Sequence, residues 1–275
     1  MFRIIFLGDI MGRIGREALR LTLPSLRAEY AADLVIANIE NASHGTGVTP
    51  AALQELSDAG IDAFTGGNHS WDNPSGTAVY DTSPWSARLV RPANTRRGDP
   101  GRGSIVLKTP SGVRVLLINL MGMHAMPGSA TVERPFEAAD TLIASHQADK
   151  PDIIFLDIHA ELTAEKEALG HYVDGRVSAI IGTHTHVQTS DARILPGGTA
   201  YCTDAGRTGA YDSVLGFKKQ SSIKRFLNLE QDSDNIPEFG LAEIDGVFIE
   251  VDERSGKALR IDTFRKLVEV LAKKR

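Results

Sequence analysis

The sequence predicts an α/β fold, and three observations carry that expectation. Short, mostly apolar runs bounded by glycine alternate with longer stretches of helical character, as strands buried on both faces of a parallel sheet do. Polar residues of ligand type gather immediately after those runs, where open α/β sheets place their ligands. The 275 residues, 42% hydrophobic and 24% charged, give an ordinary globular composition with ample chain to bury a core. No internal repeat or linker interrupts the chain, so one domain spanning residues 1–275 is expected.

The first run, residues 2–7, is nearly all apolar and stops at Gly8, which leaves Asp9 past the strand's carboxyl edge. Taken alone, Asp9 reads as a turn residue ahead of a helix over 15–30. Gly8, Gly12 and Gly15 do not fit the dinucleotide fingerprint G-x-G-x-x-G, and no Walker lysine and serine follow them. A second strand at 34–37 leads into Asn38-Ile39-Glu40-Asn41, bringing an acid and an amide to the same edge. The loop Ser43-His44-Gly45-Thr46-Gly47 comes next, with His44 read as a polar loop residue. Thr49 and Pro50 then open a helix over 50–59, a cap followed by proline at the first position.

A strand over 61–65 runs into Gly66-Gly67-Asn68-His69, where the glycines let the backbone approach a bound ion or phosphate. Residues 73–103, rich in Pro, Gly, Arg and Asp, read as irregular, with Arg96 and Arg97 solvated or facing a phosphate. Strands at 104–108 and 113–120 form a hairpin about Thr109-Pro110-Ser111-Gly112. A helix over 135–147 crosses to a strand at 152–156, which ends in Asp157-Ile158-His159 and leads to a helix near Glu161. The run 177–181 arrives at Gly182-Thr183-His184-Thr185-His186. At strand spacing those two imidazoles point the same way and can approach one metal centre if the chain stays extended. The remainder reads as strands at 187–195 and 199–202, then a mobile loop over 203–211 covering a substrate, and a helix after Ser213. A strand pair about Asp245-Gly246, a strand at 258–263, and a basic terminal helix with Lys266, Lys273, Lys274 and Arg275 complete it.

The net charge of −5 and a pI near 5.9 disfavour extended nucleic-acid binding through counterion release and suit a small-molecule substrate. A single cysteine, Cys202, allows no internal disulfide, reads as a buried core thiol, and leads us to expect a cytoplasmic location. No apolar run approaches the ~18 residues of a membrane span. A homo-oligomer is compatible with the sequence, which specifies no subunit interface. Asp9, Glu40, Asn41, Asn68, His159, His184 and His186 together follow five apolar strands. They form a mixed oxygen and nitrogen set larger than a mononuclear zinc site uses, and large enough for two metals if Glu40 bridges them.

In order along the chain, Gly8-Asp9, the acid after the second strand, Gly67-Asn68-His69, a lone histidine and Gly182-Thr183-His184-Thr185-His186 resemble the calcineurin-like metallophosphoesterases. Met11 stands where the usual first-strand D-x-H has its histidine, and Glu40 followed by Asn41 replaces the usual second aspartate. With Ala37-Asn38-Ile39-Glu40-Asn41, Pro100-Gly101-Arg102-Gly103 and Thr203-Asp204-Ala205-Gly206, these departures resemble the bacterial YmdB-like phosphodiesterases over essentially the whole chain. The resemblance implies a metallophosphoesterase-type sandwich of two mixed β-sheets flanked by helices. It places Asp9, Glu40, Asn41 and His186 on one metal and Glu40, Asn68, His159 and His184 on the other. Asn41 would also meet phosphate, and His69 would be the catalytic proton donor. The implied cofactors are two divalent or trivalent ions, iron with manganese as a substitute. The implied reaction is hydrolysis of cyclic nucleotides, 2′,3′-cyclic and also 3′,5′-cyclic, by in-line attack of a metal-bridging hydroxide. Two readings compete: a phosphomonoesterase on the same site, and a metal-binding regulatory protein that acts through partners.

Overall fold

The computed structural model describes residues 1–95, 98–127, 132–229 and 235–272. Arg96 and Arg97, read above as solvated or phosphate-facing, and Lys273, Lys274 and Arg275, placed above in a terminal helix, lie outside the described residues. The amino-terminal half runs β1 (Phe2–Leu7), β2 (Asp9–Ile10), α1 (Gly12–Tyr30), β3 (Leu34–Asn38), α2 (Pro50–Asp58), β4 (Ala63–Thr65), α3 (Pro74–Thr77) and β5 (Leu89–Val90). A second group follows with β6 (Ser104–Lys108), β7 (Arg114–Met121), α4 (Pro135–Ser145), β8 (Ile153–His159), α5 (Thr163–Tyr172), β9 (Ala179–Thr183), β10 (Arg193–Ile194) and β11 (Ala200–Cys202). The chain closes with β12 (Arg207–Ala210), α6 (Lys219–Phe226), β13 (Gly240–Asp252) and β14 (Lys257–Val270).

Two mixed sheets result. One has the order β2-β12-β13-β1-β3-β4-β5 with β14 paired to β13, and the other β10-β11-β9-β8-β7-β6. The alternation within β1 shows how they stack. Phe2, Ile4 and Phe6 pack among Val115, Leu117, Phe155 and Ile181 of the opposite sheet, with the Phe6 and Phe155 rings 5.0 Å apart. Ile5 and Leu7 instead meet Ile14, Leu19 and Leu53 of α1 and α2. On the other sheet Leu116, Ile118, Ile158 and Ile180 turn outward to Ala139 and Leu169 of α4 and α5. The layers are therefore helix, sheet, sheet and helix, and both central faces need apolar residues, which is why these strands read as continuous hydrophobic runs. Cys202 is fully buried in the intersheet core, and burial pushes its thiol up to about 11.

The structure corrects several expectations. The basic terminal segment is not a helix but β14, antiparallel to β13 along its whole length. Phe264 packs on Tyr30 with ring centroids 5.2 Å apart, which covers one face of the strand at that point. Asp245-Gly246 is no turn: β13 passes straight through it, Gly246 opposite both Leu7 and Phe264. The buried Asp245 carboxylate instead accepts two hydrogen bonds from Arg265. Residues 203–211 are not a mobile cover, because residues 203–210 are buried and β12 pairs with both β2 and β13. Of the strand expected over 187–195 only Arg193–Ile194 forms. Helix α1 starts at Gly12, earlier than expected, and β8 extends through His159, so α5 begins later, at Thr163.

Candidate metal centre

Three neighbouring parallel strands of one sheet, β1, β3 and β4, and two of the other, β8 and β9, deliver the polar residues that follow them to one place. Asp9, Glu40 and Asn41 are buried there, as are His159 and His186, whereas Asn68, His69 and His184 are partly accessible. Two triads of donor atoms form, Glu40 with His159 and His184, and Asp9 with Glu40 and His186, the atoms of each lying within 4.8 Å of one another. Glu40 is common to both. The two asparagines divide in the same way: Asn68 Oδ1 is 3.0 Å from His159 Nε2, and Asn41 Oδ1 is 3.1 Å from His186 Nε2.

Each imidazole is oriented by its other nitrogen. His159 Nδ1 lies 2.9 Å from Thr183 Oγ1, whose hydroxyl donates to Asp157 Oδ1 at 2.7 Å. His186 Nδ1 donates to Leu215 O at 3.0 Å, and His184 Nε2 is 3.2 Å from Glu161 Oε2. The nitrogens left over point inward, so that His184 Nδ1 and His159 Nε2 meet at 3.1 Å. Fixing one ring nitrogen on an oxygen acceptor while the other faces a shared centre is the arrangement seen for metal-ligating histidines.

The donor set fits a cation on a further count. Asp9 Oδ1 is buried without a hydrogen-bond partner, while Oδ2 accepts the His184 backbone N–H at 3.0 Å. A buried unpartnered carboxylate oxygen carries a large desolvation cost, which coordination to a cation removes. Gly67 shows how tightly the centre is built: a Cβ there would lie 2.2 Å from Glu40 Oε2 and 2.5 Å from His159 Nε2. Only glycine lets this turn pass so close to the carboxylate.

The charges perturb one another strongly. Burial pushes the Asp9 carboxyl above its usual range, against the pull of His186 and His159. Burial acts the same way on Glu40, but His159 and His69 outweigh it and bring the carboxyl to about 2. His159, which burial alone would keep neutral, is raised to about 9 by Glu40 and Asp9. Desolvation and the neighbouring His159 lower His184 to about 3. A proton thus resides on His159 at neutral pH, and a metal ion would compete with it.

The structure brings all seven donor residues together, but not by the extended path expected for His184 and His186. Both adopt left-handed backbone, with φ of 99° and 60°. Asp9 holds the His184 N–H, and Asp204 Oδ2 accepts from both the N–H and the hydroxyl of Thr185 at 3.1 and 2.8 Å. Arg207 donates to the His186 carbonyl at 2.9 Å. His69 stands at the edge of the cluster, its N–H on Glu40 Oε2 at 3.0 Å and its Nδ1 2.6 Å from Asp72 Oδ2.

Four supporting residues escaped the reading of the sequence. Asn38 donates to Gly66 O and Asp157 Oδ2 and accepts the Glu40 N–H, so it ties β3 to β8. Asp157 also accepts from Thr65 at 2.5 Å, and burial raises it to about 7. Lys166, fully buried, donates to Thr183 O at 2.7 Å and to Asp204 Oδ2 at 2.8 Å. Asp157 and Asp204 each sit close to a recognised site residue in sequence, which is a usable signal. Lys166 lies between two glutamates on a helix and looks like a solvated face.

The layered α/β fold, two mixed sheets between helices, matches that of phosphatase and nucleotidase structures. A 5′-nucleotidase precursor from Thermus thermophilus superposes with a TM-score of 0.58, covering 98% of this chain and 54% of that one at 13% identity, a likeness of fold alone. Residues 5–264 match the model of the YmdB-like protein family, and the chain belongs to that family. It is 44% identical over 265 residues to the 2′,3′-cyclic-nucleotide 2′-phosphodiesterase of Bacillus subtilis, covering 94% of this chain and 95% of the relative. A structure described as a novel phosphatase from Mycoplasma pneumoniae superposes with a TM-score of 0.88 at 34% identity, covering 98% of this chain and 94% of that one.

Proposed function

We propose that the protein is a dinuclear-metal phosphodiesterase that opens 2′,3′-cyclic nucleotides. The observation that carries this reading is Glu40, whose carboxylate belongs to both donor triads. The activity named for the Bacillus subtilis relative, 44% identical over nearly the whole chain, supports the substrate class. Asp9, Glu40, Asn41 and His186 would hold one ion, and Glu40, Asn68, His159 and His184 the other. Iron is the proposed metal, with manganese as a substitute. When bound, such a pair supplies positive charge to the phosphoryl oxygens and lowers the pKa of water to near neutrality.

The chain's own groups supply the rest. Asp72 fixes the His69 ring through Nδ1, which leaves Nε2 to carry a proton to the leaving ribose oxygen. The backbone N–H of the same residue holds the bridging carboxylate, so the acid and the metal centre are positioned together. Asn41 commits one Nδ2 hydrogen to Gly45 O at 2.9 Å and keeps the second for a phosphoryl oxygen.

The test is to load the purified protein with iron(II) or manganese(II), measure its metal content, and assay 2′,3′-cyclic AMP, 3′,5′-cyclic AMP and 5′-AMP side by side. The expected result is two ions per chain and conversion of 2′,3′-cyclic AMP to 3′-AMP. Faster phosphate release from 5′-AMP would turn the reading to a phosphomonoesterase, an activity that the name of the Mycoplasma pneumoniae relative, "putative phosphatase/phosphodiesterase", 35% identical, also includes. Two bound ions without hydrolysis would leave the regulatory role.

A further inference from the structure

We infer that a cavity beside the metal centre receives the nucleobase of the substrate, an inference that rests on the phosphodiesterase reading above. The cavity, of about 310 Å³, is bounded by the start of α1, the loop after β3, and the chain at Phe217 and Ile236. It lies at the lower end of the size range of ligand pockets, where one heterocycle fits. Two loops join it to the donor cluster. Asn41, in contact with His186 through Oδ1, donates from Nδ2 to Gly45 O and accepts the Gly12 N–H on its own carbonyl, and both glycines line the cavity. On the other side, His186 Nδ1 donates to Leu215 O, two residues before Phe217. A group held there is thus one residue away from the proposed metal ligands.

The lining tells a base from a second phosphate. Both arginines in the wall are already paired, Arg13 with Glu238 at 2.9 Å and Arg16 with Glu55 at 2.7 Å, so neither offers an uncompensated charge to an anion. Phe217 and Ile236 supply an aromatic face and an aliphatic one, and His44 stands exposed at the edge with its backbone in the left-handed region at φ 54°. Ring faces of this kind bind nucleobases by stacking. Asn235 adds a polar residue to the lining.

The experiment compares wild type with Phe217→Ala and His44→Ala on 2′,3′-cyclic AMP and a base-free diester, glycerol 1,2-cyclic phosphate. Adenosine binding to the metal-loaded proteins is measured by calorimetry. For Phe217→Ala we expect the preference in kcat/KM for cyclic AMP over the base-free diester to fall about tenfold, through KM, with a matching rise in the Kd for adenosine. His44 is exposed, so His44→Ala keeps the test valid if the Phe217 variant fails to fold. Equal losses on cyclic AMP and the base-free diester, or no change in adenosine binding in any variant, would overturn the inference. If wild type hydrolyses none of the diesters yet binds adenosine through Phe217, the phosphodiesterase reading fails and the base pocket stands.

Discussion

His69 is the residue whose proposed role separates most cleanly from metal binding. Its ring contacts Asp72 rather than the donor triads, and only its backbone N–H touches Glu40. Replacing the ring leaves that N–H in place. In His69→Ala we therefore expect metal content equal to wild type and a kcat reduced by about 10²–10⁴-fold, the usual worth of a general acid. Elemental analysis beside steady-state kinetics checks both halves, and full activity in a metal-replete variant would remove His69 from the mechanism. The identities of the donors were legible in the sequence because each follows an apolar run by one to a few positions, where a strand's end places it at the carboxyl edge. Their backbone was not. Left-handed conformation at His184 and His186 costs on the order of 1–3 kcal/mol at each residue, and long-range partners, Asp9, Asp204 and Arg207, hold it. No local signal at residues 182–186 specifies such contacts.

At the scale of elements, the join between α5, β9 and the chain before β12 depends on one buried ion pair. Lys166 Nζ reaches both Thr183 O and Asp204 Oδ2, and the same carboxylate holds Thr185 between the two histidines. Lys166→Met keeps the length and the apolar stem but leaves Asp204 uncompensated, and breaking a buried pair in this way costs about 3–5 kcal/mol. We expect a loss of that order in denaturant unfolding, together with weaker metal retention. An unchanged midpoint would show that the pair does not support the loop. The carboxyl-terminal strand β14 was not legible in the sequence for a reason of the same kind. Arg265, Lys266 and Glu269 interleaved with Phe264, Leu267 and Val268 resemble the charged face of a helix. Pairing with β13 and stacking of Tyr30 on Phe248 and Phe264, at 4.8 and 5.2 Å, make the segment a strand, and those partners lie far away in sequence. The strands expected at 34–37 and 152–156 carried their own answer, because strands covered on both faces are largely apolar runs.

For the whole molecule, the decisive feature is that the donors come from both sheets: Asp9, Glu40, Asn41 and Asn68 follow strands of one, His159 ends a strand of the other, and His184 and His186 follow its neighbour. The division of strands between sheets was not legible from composition or periodicity, since both sheets use the same apolar alphabet; the family resemblance implied two mixed sheets but not which strands each holds. Among the described residues no helix is long and apolar enough to cross a membrane. The sandwich fixes Glu40 between the two triads, and the central claim is that this carboxylate joins two ions in one centre. Metal content per chain in wild type, Glu40→Ala, His184→Ala and His186→Ala, each purified and reconstituted alike, tests it most directly. Two ions are expected in wild type, about one in each histidine variant, and neither held tightly in Glu40→Ala. Two ions retained in folded Glu40→Ala, or a single ion in wild type that both histidine variants lose, would contradict it.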